Sequence, residues 1–161
     1  MVIRKATEKD ARQIAEIIVE DWQTAYRGII DDEYLDSLSV ELEQRHQKEL
    51  KRYGQYMVAV DNDEVIGLAW NAETADEPAD CEIIALYVRY SKRNNGIGKA
   101  LMQNAMDSFR KAGKKCMIIW CLEGNLESRK FYEKMGGKEN STGTHSWGNR
   151  EYNMTSYLYK L

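Results

Sequence analysis

Arg93-Asn94-Asn95-Gly96-Ile97-Gly98-Lys99-Ala100 decides the fold through what stands on either side of it. Before it runs Cys81-Glu82-Ile83-Ile84-Ala85-Leu86-Tyr87-Val88, apolar on both parities apart from Glu82. Such a run predicts a central strand covered on both faces. After it, Ile97, Ala100, Leu101, Ala105, Phe109 and Ala112 recur at helical spacing until Gly113, and Cys116–Leu122 forms a second apolar strand. Strand, loop, helix and strand in that order make one β-loop-α-β unit, with parallel strands and a right-handed crossover. The glycine turn therefore opens a helix, where free N–H groups and the positive end of the helix dipole favour an anion. Gly96 and Gly98 let the backbone approach phosphate oxygens closely. It is not a P-loop, because Ala100 follows Lys99, and not a dinucleotide fingerprint, because Leu101 stands where a small residue is needed. A lone Gly-x-Gly turn can equally do no more than start a helix.

Outward from this unit, residues 2–6 predict a short strand. Thr7 is placed to cap a helix with Asp10 in its first turn, and Ile14, Ile17, Ile18, Trp22 and Ala25 carry that helix to about Arg27, before Gly28. Residues 31–38 predict a short helix, and Ser39 caps another running to about Tyr53. Gln55–Val60 and Val65–Trp70 alternate as a hairpin around Asp61-Asn62-Asp63-Glu64. Residues 71–80, acidic and holding the single proline, Pro78, predict a loop. Asn125–Met135 predicts a last helix closed by Gly136-Gly137, and the tail holds strands near 138–142 and 150–160. Without repeats or low-complexity linkers, the 161 residues are expected to form one domain.

Composition narrows the function classes. Apolar residues at 43% and charged residues at 30% are ordinary for a globular chain. A net charge of −3 argues against a nucleic-acid-binding module. The three cysteines, Cys81, Cys116 and Cys121, lie in apolar stretches and read as buried thiols in a reducing compartment. With His46 and His145 the only histidines and no Cys-x-x-Cys pair, no metal site is expected. There is neither a signal-peptide pattern nor an apolar run of about 18 residues, so a cytoplasmic protein with no membrane partner is expected.

Two motifs then carry a resemblance. Arg93-x-x-Gly96-x-Gly98 is similar to the Q/R-x-x-G-x-G/A signature of the GNAT N-acetyltransferases, at the family's distance from Leu86-Tyr87-Val88. Asn125-x-x-Ser128-x-x-Phe131-Tyr132-Glu133-Lys134-Met135-Gly136-Gly137 resembles the family's N-x-x-A-x-x-F-Y-x-x-x-G-F segment. Asp21-Trp22 through Ala25-Tyr26-Arg27-Gly28 looks like the first helix of many bacterial members. Ser128 departs from the usual alanine, and Gly137 from the usual aromatic.

The resemblance implies an α/β (α+β) fold: a mixed sheet of six or seven strands with helices on both faces, splayed between the fourth and fifth strands. It implies acetyl-CoA as co-substrate, no metal, and direct transfer to the primary amine of a small molecule or peptide; it allows a homodimer. Leu86, Tyr87 and Val88 would line the pantetheine arm, with the Leu86 N–H on the thioester carbonyl. Arg93, Asn94, Asn95, Gly96, Ile97, Gly98 and Lys99 would hold the pyrophosphate. Asn125 and Ser128 would flank pantetheine, and Tyr132 would reach the sulfur as general acid, unless it is one more packing aromatic. Glu82 stands eleven residues before Arg93, where histone-type members keep a general base. It reads equally as a strand-end carboxylate, solvated or paired with a lysine. Tyr26 and Glu82 would border the acceptor, whereas Trp22 reads as core. Two rivals share the cofactor: an acyl-CoA-sensing regulator, and a toxin-like acetylator of aminoacyl-tRNA, against which the acidic residues 71–80 argue.

Overall fold

A computed structural model describes residues 1–161. It forms a mixed seven-stranded sheet built from β1 (Val2–Lys5), β2 (Tyr56–Asp61), β3 (Glu64–Glu73), β4 (Cys81–Val88), β5 (Cys116–Leu122), β6 (Lys138–Trp147) and β7 (Arg150–Lys160), in the order β1-β2-β3-β4-β5-β7-β6. The helices are α1 (Ala11–Ala25), α2 (Asp32–Asp36), α3 (Val40–Glu49), α4 (Ile97–Lys111) and α5 (Leu126–Lys134). Only β4 and β5 run parallel; every other neighbouring pair is antiparallel. The β4-α4-β5 crossover is thus the unit read from the sequence.

Each face of the sheet has its own apolar layer. Ile14 and Ile17 of α1 pack on Val58, Val65 and Leu68. Across the sheet, Ile97 and Leu101 of α4 pack on Ala59, Ile66 and Ala69, while Met102, Ala105 and Met106 cover Cys81, Ile83, Met117 and Ile119. Thr7 opens α1 as expected: its N–H donates to Asp10 Oδ2 at 2.7 Å, and Arg4 pairs with the same carboxylate at 2.8 Å. One 3₁₀ turn, Glu8–Asp10, intervenes before α1 proper.

Several boundaries move. β3 continues through Glu73, because Asn71, Ala72 and Glu73 pair with Ile83, Glu82 and Cys81, so the loop is only 74–80. Their polar character had marked them as loop, yet strand pairing is a backbone property. α3 stops at Glu49, ahead of Lys51 at φ 50°, instead of reaching Tyr53. β6 runs on to Trp147 because its partner β7 is long enough to pair with it up to the hairpin tip.

β4 is not covered on both faces as its composition suggested; Ile84 is 42% exposed. A bulge explains this. Trp70 of β3 faces Ala85, and the next residue, Asn71, faces Ile83, leaving Ile84 as the extra residue. Cys81 and Ile83 pack towards α4, and beyond the bulge Leu86 and Val88 do so. In a regular strand Ala85 and Tyr87 would have shared that face. The bulge reverses the parity and turns Tyr87 to the α1 layer. The apolar residues on both parities reflect a strand that changes face partway.

Candidate active site

β4 meets β5 only at Cys81, Glu82 and Ile83, opposite Met117, Ile118 and Ile119. Further on, β4 stays with β3 and β5 with β7, so the two parallel strands part. The Arg89 N–H donates to Ile66 O on the β3 side at 2.9 Å. Antiparallel alternation from this bond turns the Tyr87 N–H to β3 and the Leu86 and Val88 N–H groups into the gap. Tyr87 therefore contributes a wall, not a donor; its hydroxyl accepts from Trp22 Nε1 at 3.0 Å.

The glycine turn closes one end of the gap. Asn94 and Gly96 take φ of 62° and 77°, the left-handed region that asparagine tolerates and glycine occupies freely. The Asn95 side chain donates to Lys92 O (3.1 Å) and Arg93 O (3.0 Å), so it shapes the turn and does not face a ligand. The Arg93 N–H is likewise engaged, by Tyr90 O at 3.3 Å. From Asn94 to Lys99, in contrast, no backbone N–H has a partner within the protein; the first helical bond is Ala100 N–H to Gly96 O, 3.0 Å. The Ile97 side chain is buried in the core while Lys99 stays exposed, so Ile97 anchors the turn and presents its N–H outward. A Cβ at Gly96 would meet nothing within 4 Å, so that side of the turn is open.

α5 forms the opposite wall. A Cβ on Gly98 would lie 3.4 Å from Phe131, which brings α5 against the start of α4. Asn125 is the N-cap of α5, its Oδ1 accepting from the Ser128 N–H at 3.2 Å. The asparagine-to-serine spacing is thus first a capping spacing; what remains for a ligand is the Asn125 amide nitrogen and the Ser128 hydroxyl. Tyr132 is 7% exposed, and no protein group hydrogen-bonds its hydroxyl. Burial raises its pKa well beyond the ordinary tyrosine range, so the phenol keeps its proton. Its carbonyl is held by the Tyr159 hydroxyl at 2.7 Å and by the Gly137 N–H at 3.0 Å. Tyr159 also explains the departure at Gly137. A Cβ there would fall 2.5 Å from the Tyr159 hydroxyl oxygen, because the space is already filled by a β7 aromatic.

At the far end, Glu82 is half-buried on β4. Desolvation raises its pKa, the Asp76 charge adds to the rise, and a hydrogen bond with Thr74 opposes it. No lysine or arginine pairs with Glu82. Asp76 is held by Trp120 Nε1 at 3.1 Å. At the opposite, open end of the gap, past Leu122 of β5, the β6–β7 hairpin docks on the α1–α2 connection: the Asp31 N–H donates to the Tyr152 hydroxyl at 2.9 Å. Trp22 stacks edge-on to Tyr26 (4.8 Å) and Trp147 (5.3 Å). Trp22 is packing, as its helical spacing suggested, while Tyr26 lies between it and the gap, its pKa raised by burial and then by Asp21.

Sequence reading missed Asp21, Trp147 and Tyr152. Asp21 is 8% exposed and paired with Arg93. It lies seven residues after Ile14, four after Ile17 and three after Ile18, on the buried stripe of α1; a carboxylate in that position was the available signal. Trp147 and Tyr152 sit in strands whose pairing the sequence left open.

Comparison with known proteins bears on the fold and the family. The model of the acetyltransferase (GNAT) family matches residues 12–137. A Mycobacterium tuberculosis protein named as a probable N-acetyltransferase is 32% identical over 136 residues, covering 82% of this chain and 76% of its own. The PaiA N-acetyltransferase of Thermoplasma acidophilum, solved with coenzyme A, superposes with a TM-score of 0.76 at 22% identity, over 99% of this chain and 98% of its own. YncA of Salmonella typhimurium, solved with acetyl-CoA, gives 0.70 at 20% identity, over 99% and 93%. The family match runs from α1 through the gap and the glycine turn to Gly137, and the chain belongs to the acetyltransferase (GNAT) family.

Proposed function

We propose that the protein transfers the acetyl group of acetyl-CoA to the primary amine of a small molecule or peptide. The observation that carries this reading is the β4–β5 gap, with the Leu86 and Val88 N–H groups turned into it and the unpaired N–H run from Asn94 to Lys99 at its end. An extended chain ending in a pyrophosphate suits those donors: the arm pairs with β4 as an added strand, and the diphosphate sits at the α4 N-terminus. Neighbours in fold that were solved with coenzyme A or acetyl-CoA support the same choice. Asn125 and Ser128 flank the arm from α5.

When bound, the co-substrate supplies an acetyl group activated as a thioester. Glu82 takes a proton from the incoming ammonium. With the bulge at Ile84, Glu82 and Leu86 are three strand steps apart along β3, about 10 Å, so the proton travels through water. The Leu86 N–H donates to the carbonyl oxygen as negative charge builds there. The amine nitrogen bonds the acetyl carbon as the carbon–sulfur bond breaks; Tyr132 gives its proton to the departing sulfur, and the second proton lost by the nitrogen restores the phenol. Glu82 and Asp76 put negative charge at the closed end of the gap, which favours a cationic amine.

Release of CoA from acetyl-CoA, followed across a panel of polyamines, arylalkylamines, amino acids and peptide N-termini, tests the activity. Turnover with none of them would turn the reading towards a binding protein. The cofactor half is tested separately by Gly96→Val. At φ 77° a β-branched residue is strained and its side chain covers the phosphate approach, so acetyl-CoA affinity should fall at least about tenfold in calorimetry. Unchanged affinity in a folded variant would remove the turn from the site.

A further inference from the structure

The Arg93 guanidinium does not point to solvent. It reaches from the phosphate turn to α1, where Nη2 donates to Asp21 Oδ1, and it also lies 5.0 Å from the centre of the Tyr90 ring. Arg93 is the only side chain that hydrogen-bonds the Asp21 carboxylate. The groups facing Asp21 from the surrounding elements offer no second cation. They are Glu20 and Tyr26 on α1, Tyr87 on β4, and Glu127 and Tyr132 on α5. A nearly buried carboxylate with a single counter-ion therefore sits beside the turn assigned above to a dianionic pyrophosphate.

We propose that Asp21 is the counter-ion Arg93 holds until the pyrophosphate of the co-substrate displaces it, and that co-substrate binding therefore places a proton from solvent on Asp21. This rests on the acetyl-CoA reading of the site. Two anions compete for one guanidinium. The pyrophosphate also has the free N–H groups of the turn, so it gains Arg93 and leaves Asp21 buried without a partner. An unpaired buried carboxylate beside new negative charge is neutralised by protonation. Its starting point is favourable: burial, opposed by Arg93, already pushes the Asp21 pKa up to about 6. The sign follows. Binding raises the Asp21 pKa further, so affinity is highest below pH 6. It falls by up to about tenfold for each pH unit above that, until the pKa of the complex is passed.

Calorimetry of the whole protein at pH 7, in two buffers of different ionisation enthalpy, measures the proton directly. 3′-Dephospho-CoA is the probe beside acetyl-CoA, because it lacks the 3′-phosphate that titrates in the same range. Wild-type protein is expected to take up a substantial fraction of a proton with both compounds. Asp21→Asn should take up none with 3′-dephospho-CoA and bind it about tenfold more tightly than wild type at pH 8, the two proteins converging at pH 5. Binding by wild type without proton uptake overturns the exchange, and that measurement needs no variant to fold. Weaker binding by a folded Asp21→Asn at pH 8 overturns it too, since the pair would then be a brace. Failure of wild type to bind either compound would instead remove the cofactor reading beneath it.

Discussion

With Glu82 replaced by glutamine, acetyl transfer to a good amine is expected to fall about 10²–10⁴-fold at neutral pH, the range general-base catalysis contributes. In the wild type the rate should rise with pH as the carboxyl ionises, and that ionisation lies above the usual carboxylate range because Glu82 is desolvated and faces Asp76. The variant should lose this limb and recover partly at high pH, where free amine forms without help. Its fold should survive. A carboxyl whose pKa is raised on folding binds protons more readily in the folded state, so its ionisation lowers stability as pH rises through that pKa. Neutral glutamine avoids this, and thermal melting at pH 7.5 should place the variant at or above wild type. Matching pH–rate profiles of similar height would make Glu82 a structural carboxylate.

Tyr132→Phe should lower turnover by about a hundredfold while changing acetyl-CoA affinity little, the pattern of a group that acts on the departing atom. No protein partner is lost in this substitution, because the Tyr132 hydroxyl has none, so stability should be preserved. The pH dependence separates this effect from that of Glu82. Burial keeps the phenol protonated throughout the working range, so the loss should be of similar size at every pH tested. Steady-state rates from pH 6 to 9 with parallel calorimetry provide the check, and undiminished turnover would return Tyr132 to a packing role.

The glycine turn was legible because its geometry is local. The φ of Gly96, the anchoring of Ile97 and the free N–H groups follow from a few consecutive residues at a helix start. The β4-α4-β5 unit was legible for the same reason: period and glycine placement are properties of short segments. Asn125 shows the limit of such reading, since the spacing that suggested a ligand contact is also that of a helix cap.

What only the tertiary structure decided involves partners distant in the chain. The bulge at Ile84 exists through its pairing with Trp70 and Asn71, and no feature of residues 81–88 alone reveals which face Leu86 and Tyr87 take beyond it. Gly137 looked like a missing aromatic until β7 brought Tyr159 into that space. Asp21 and Arg93 are 72 residues apart and meet because α1 packs on β4 and on the turn that follows it. By itself the sequence determined the elements, the parallel crossover and the glycine turn that opens α4, because backbone geometry and side-chain period act over a few residues. That Asp21 has a cation and Glu82 has none was decided by packing, because burial and charge pairing are set by neighbours in space.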